Sequence, residues 1–120
     1  MTEPRDLALE ALYEADQREL SETTADLPHK AARLVAGVLA HLEELDAEID
    51  AASEHWRVAR MPVVDRAILR LGLYELRYEP ETPVAVVVSE AVRLAKTFST
   101  EKSGAFVNGV LAALADQKRS

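Results

Sequence analysis

At 120 residues, with 48% hydrophobic and 29% charged residues and a formal net charge of -7, the chain has the composition of one folded domain, able to bury about two-thirds of its unfolded surface. It holds no cysteine, which excludes disulfides, thiolate metal sites and cysteine nucleophiles and fits a reducing compartment. The longest purely apolar run, Val84 to Val88, is far short of the ~20 residues of a membrane helix, and the N-terminus has no apolar signal core, so a cytoplasmic protein without membrane partners is expected.

In chain order, Leu7, Ala8, Ala11, Leu12 and Ala15 recur at helical spacing and predict an amphipathic helix from about Pro4 to Leu20, with Thr2 as its N-cap. A polar stretch from Ser21 to Leu27 reads as a connecting loop, and Asp26 with Pro28 marks the next start. One long helix is expected over 28–53. There Leu34, Val35, Val38, Leu39, Leu42, Leu45, Ile49 and Ala52 keep one face apolar, while Glu43, Glu44, Glu48 and Asp50 give a solvated acidic face. Gly37 costs helix stability inside it, which implies that another element packs close there. His55, Trp56 and Pro62 interrupt the pattern and separate an N-terminal half, about 1–55, from a C-terminal half, about 56–120. Trp56 is read as a residue that closes the core.

In the C-terminal half, Ala67, Ile68 and Leu71 occupy one side of a helix and Leu69, Leu73 and Leu76 another, so burial on more than one face makes this the central helix. Arg66, Arg70 and Arg77 share a side, and their plain reading is ion pairing with carboxylates such as Glu75 or Glu90. Pro80 ends the helix. Thr82-Pro83 starts the next one, and although its valines favour strand by propensity, the stripe through Val84, Val87, Val88, Ala91, Leu94, Ala95 and Phe98 predicts helix. After Ser99-Thr100, Phe106, Val107, Val110, Leu111 and Leu114 carry a last helix to about Lys118. The expected fold class is all-α: two small helical bundles packed into one domain of 1–120, with five main helices and a short turn near Trp56.

Catalytic chemistry has no visible home. His29, His41 and His55 are spaced by 12 and 14 residues, matching no compact metal motif, and neither a phosphate-cradling nor a nucleophile-elbow glycine motif is present. The acidic residues spread around a helix instead of lining a glycine-containing loop. No enzyme activity, metal or cofactor is expected. The net charge of -7 disfavours nucleic-acid binding by the chain alone, because lysine and arginine supply most non-specific affinity for phosphates.

Three segments nevertheless point to a function: Val64 to Leu76 (VDRAILRLGLYEL), Ser89 to Lys96 (SEAVRLAK) and Ser103 to Leu111 (SGAFVNGVL). Together they resemble the NusB family of bacterial transcription antitermination factors, with continuous similarity from Leu34 to Leu114. The resemblance implies an all-helical fold in which an N-terminal three-helix bundle packs on a C-terminal bundle. It also implies binding of boxA RNA in nascent ribosomal RNA transcripts with NusE, a small-subunit ribosomal protein, inside the RNA polymerase antitermination complex. By position, the RNA contacts correspond to Arg5 and Tyr13 on the first helix and to Lys102, Phe106 and Asn108 near the start of the last. Such cations meet phosphates, and such rings stack on unpaired bases. The NusE contact corresponds to Asp65 and Arg66, expected on an exposed edge of the central helix with Arg66 facing outward.

Typical members carry several arginines before the first helix, whereas this chain opens MTEPRD and keeps only Arg5. Weak RNA binding alone and tighter binding with NusE are therefore expected. DNA contacts are not expected, and a homodimer is left open. Two other readings remain: a module related to the N-terminal domain of ribosomal RNA cytosine methyltransferases, and a protein-interaction domain that has lost RNA binding.

Overall fold

Among the described residues the apolar stripes fold as six α-helices and one short 3-10 turn: α1 (Pro4–Gln17), α2 (His29–Ala40), α3 (Leu42–Ala52), the turn Val58–Arg60, α4 (Val63–Tyr78), α5 (Val84–Phe98) and α6 (Glu101–Lys118). The computed structural model describes residues 3–20, 22, 26–54 and 56–118, with side chains to residue 116. No strand is present among the described residues. Thr2 and His55 lie outside them, and the residue at the N-cap of α1 is Glu3, whose side chain makes no cap bond.

Helix α4 is central, as its two-sided pattern requires. Ten of its 16 residues are buried, and it packs against each of the other five α-helices. The core is continuous across the two halves of the chain: Leu34, Val35, Val38, Leu45 and Ile49 from α2 and α3 share one buried cluster with Ile68, Leu69, Leu71 and Leu73 of α4, Leu94 of α5, and Leu111 and Leu114 of α6. Helix α5 forms despite its valines because one face packs: Val87, Ala91, Leu94 and Ala95 are buried. Tertiary burial here overrides an intrinsic preference worth only tenths of a kcal/mol per residue.

Two boundaries differ from expectation. Helix α1 stops at Gln17, because Glu19 takes a left-handed φ of 55°, letting the Leu20 N–H donate to the Ala15 carbonyl at 2.8 Å and the Glu19 N–H to Asp16 at 3.1 Å. This is the usual left-handed closure of a helix, made without glycine. The long helix over 28–53 is broken at His41 (φ -115°, ψ 21°), whose N–H is shared between the Gly37 and Val38 carbonyls at 3.2 Å each. The His41 ring stacks on Tyr78, centroids 4.2 Å apart. An apolar stripe does not register a bend at one residue, since Leu39 and Leu42 pack against the core on either side of it.

Gly37 has the close neighbour its position implied: a Cβ there would fall on the Tyr74 ring, which stacks on Tyr78 at 5.4 Å. Gly37→Ala is expected to lower stability by about 1–2 kcal/mol in urea unfolding. Overpacking costs ~1–3 kcal/mol, and better helix propensity returns up to ~1. Unchanged stability would mean that the Tyr74 ring leaves its stack freely.

The arginines of α4 are ion-paired, but not with the expected partners. Arg66 pairs with Asp16 at 2.7 Å, Arg70 with Asp46 at 2.7 Å and Asp16 at 3.2 Å, and Arg77 with Glu48 at 2.7 Å. The face of α3 expected to be solvated is thus partly committed to holding α4, and Asp50 accepts the Val58 N–H at 2.7 Å. Glu75 pairs with Arg5 instead, at 2.8 Å, and Glu90 lies between Arg93 at 3.3 Å and Arg5 at 3.7 Å.

Candidate nucleic-acid interface

The site is built around the start of α6. Thr100 caps that helix, its Oγ1 accepting the Ser103 N–H at 3.0 Å, as an N-cap threonine does. Ser103 then turns inward and donates its hydroxyl to Asp65 Oδ2 at 2.9 Å, fixing the start of α6 to the first turn of α4. Around this anchor lies a pocket of about 470 Å³ lined by Trp56, Pro62, Asp65, Ser99, Thr100, Lys102, Ser103 and Phe106. The Trp56 and Phe106 rings stand 5.7 Å apart, tilted by 58°.

A second hollow, about 240 Å³, is lined by Leu9, Glu10, Tyr13, Val64 and Phe98. Val64 precedes Asp65 and Phe98 precedes Ser99 in the chain, so the two hollows adjoin across the start of α4 and the α5–α6 turn. Their shared face carries Tyr13, Trp56 and Phe98, three of the six large hydrophobic residues most exposed among those described (41%, 46% and 41%). Lys102 is exposed beside them. Flat rings with a cation at the rim are the elements from which single-stranded nucleic-acid platforms are made.

Of the residues expected at the site, Tyr13, Lys102 and Phe106 lie on this face. The others do not. Arg5 is 8% exposed, and its guanidinium donates to Glu75 from Nε at 2.9 Å and from Nη2 at 2.8 Å. A buried bidentate pair of this kind is committed to the fold and is not offered to phosphates. Asn108 lines a separate groove with Ala85, Ser89 and Val92, because two residues along a helix from Phe106 is a turn of about 200°.

The exposed edge expected for Asp65 is corrected as well, since Asp65 is 2% exposed beneath the start of α6. Arg66 lies along the surface instead of facing outward, donating to Asp16 Oδ2 and Oδ1 at 2.7 Å each and to the Ala59 carbonyl at 3.3 Å. That guanidinium holds Asp16 below the usual carboxylate range, chiefly by hydrogen bonding. Two residues on the face escaped the sequence reading: Trp56, assigned to the core, and Phe98, assigned to the α5 stripe. Both are aromatics beside a chain break, which is the signal that marks them.

Fold and face together define a small all-helical binding protein with one core and an aromatic platform at the junction of α1, α4 and α6. The NusB family profile matches residues 2–116, and the chain belongs to the NusB family. It is 48% identical to the transcription antitermination protein NusB of Acidothermus cellulolyticus over 94% of this chain and 85% of that one, and 41% identical to the protein of the same name from Lysinibacillus sphaericus over 97% of each. Among solved structures, T. maritima NusB superposes with a TM-score of 0.84 at 34% identity, covering 97% of this chain and 92% of that one. One chain from the structure of antitermination factors NusB and NusE in complex with double-stranded RNA gives a TM-score of 0.83 at 31% identity, covering 95% of this chain and 94% of that one.

Proposed function

We propose that this chain is a transcription antitermination factor that, with NusE, binds boxA-type RNA in nascent ribosomal RNA transcripts and helps RNA polymerase resist termination. It works by binding and positioning, without catalysis, in the cytoplasm. The observation that carries this reading is the grouping of Tyr13, Trp56, Phe98 and Phe106 with Lys102 on one face of a protein whose fold superposes on one chain of a NusB–NusE–RNA complex. In this reading Tyr13, Phe106 and Lys102 contact RNA, and Arg5 serves the face only by anchoring α1. NusE docks beside them at the start of α4, near Arg66, where an acidic chain suits a basic ribosomal protein.

The net charge of -7 makes weak binding the expected result for the chain alone, with clearly tighter binding once NusE is present. Titrating labelled boxA and a scrambled control at fixed salt, with and without NusE, tests this. Phe106→Ala, checked for folding, should weaken boxA binding by about 1–3 kcal/mol, the range for one stacked base. With Lys102 as the cation that meets the phosphates, the salt slope should be shallow, since each neutralised phosphate of a single strand adds about 0.7 to it. Equal affinity for boxA and the scrambled RNA, even with NusE, would retire the reading.

A further inference from the structure

Asp65, which lines the pocket beside the start of α6, holds a buried acceptor with nothing to accept. Asp65 Oδ2 takes the Ser103 hydroxyl at 2.9 Å, while Oδ1 is buried without a hydrogen-bond partner among the described residues. Ser103 has no second hydrogen to give, because its one donor is spent on Asp65 and its Oγ accepts Thr100 Oγ1 at 3.1 Å and lies 2.9 Å from Ser99 Oγ. An unpaired acceptor in the interior is a standing cost that an incoming N–H donor removes.

The start of a helix ordinarily favours an anion. Here the Asp65 carboxylate already sits against it, so a phosphate entering the pocket would meet like charge. What remains is an acceptor at the floor, two tilted aromatic walls and a cation at the rim. That combination suits a flat group carrying an N–H edge, with a phosphate kept outside.

We propose that this pocket takes a single unpaired nucleobase bearing an exocyclic amine, seated against Trp56 and Phe106, with the amine donating to Asp65 Oδ1 and Lys102 meeting the adjoining phosphate. The inference rests on the RNA-binding reading above and makes Asp65, through its burial, the residue that selects the base. Cytosine offers an N4 amine where uracil offers a carbonyl oxygen, so the carboxylate accepts from the first and repels the second. Trp56 is the wall that yields: its ring is 46% exposed on the connector between α3 and the 3-10 turn, and exposed side chains change rotamer within nanoseconds.

The test uses labelled oligo-cytidylate and oligo-uridylate titrated into the full chain, alone and with NusE, at one low salt concentration. Trp56 is the sole tryptophan, so in the arm without NusE its fluorescence reports occupancy of the pocket. Oligo-cytidylate should bind about tenfold tighter, the ratio that one hydrogen bond to a charged acceptor supplies, and should quench Trp56 more strongly at saturation. Asp65→Asn keeps an oxygen for Ser103 and replaces the Oδ1 acceptor with an NH2 donor, so it should erase or reverse the preference while the melting temperature stays near that of the wild type. If that variant fails to fold, the affinities and quenching of the wild type with the two oligonucleotides carry the decision. RNA binding with equal affinity for both, or an unchanged preference in folded Asp65→Asn, overturns the inference and leaves the RNA-binding reading standing. Absence of RNA binding in both arms overturns the two together.

Discussion

Replacing Glu75 with alanine should destabilise the protein by about 3–5 kcal/mol, the cost of removing one partner of a buried ion pair. Glu75 sits on the central helix with its side chain 3% exposed, and it pairs with an Arg5 side chain that is 10% exposed. Without the carboxylate, the Arg5 guanidinium stays buried with Glu90, 3.7 Å away, as its remaining ion-pair partner among the described residues. The alternative, swinging Arg5 out to water, opens a gap between α1 and α4 beside Ala8 and Leu9, both buried. For a domain of this size the loss should appear as a fall of roughly 10 °C or more in melting temperature. Because Arg5 lies in α1, boxA binding should weaken along with the fold. A stable Glu75→Ala protein would show that the pair serves some purpose other than holding α1.

Asp16→Ala should cost about 2–4 kcal/mol, the buried-pair range reduced for partial exposure, because one carboxylate serves two arginines. Asp16 is 14% exposed in its side chain and lies 2.7 Å from Arg66 and 3.2 Å from Arg70. Arg70 keeps Asp46 at 2.7 Å, whereas Arg66 is left with the Ala59 carbonyl at 3.3 Å. The same residue sets a pH dependence. Its folded pKa lies below the ordinary 3.8, first through the Arg66 hydrogen bond, so the unfolded chain binds a proton at this site before the folded one does. The stabilisation is therefore complete above about pH 4 and is lost as pH falls through the lower folded value. Urea midpoints measured between pH 3 and 7 should drop at the acid end in the wild type and drop less in Asp16→Ala. Identical acid sensitivity of the two proteins would remove Asp16 from the account.

Helix placement was legible in the sequence because one-sided burial imprints a period, and it remained legible even where valines argued for strand, as in α5. The central role of α4 was legible too, since Leu69, Leu73 and Leu76 lie off the stripe of Ala67, Ile68 and Leu71. Missing from the pattern were one-residue events: the bend at His41 and the left-handed Glu19 that ends α1. Both are set by backbone geometry and by rings that meet across the fold. Charge was the least legible property. Arg5 and Asp65 are ionisable residues that read as surface, yet both are buried, and what holds them there comes from residues 38 to 70 positions away. The aromatic face was half visible. Tyr13 and Phe106 came from the resemblance, whereas Trp56 and Phe98 required knowing that two chain breaks meet.

The distance along the chain between Arg5 and its partner has a consequence for synthesis. Arg5 and Glu75 are 70 residues apart, and the Arg93–Asp6 pair that also ties down α1 spans 87. At about 5–20 residues per second, α1 leaves the ribosome roughly 4–14 s before its anchor on α4 has been made. During that interval its stripe of Ala8, Leu12 and Ala15 has α2 to lean on and little else, and the polypeptide passes through a stage at which its first helix is available to chaperones. Helix α1 is translated well ahead of the residues that secure it.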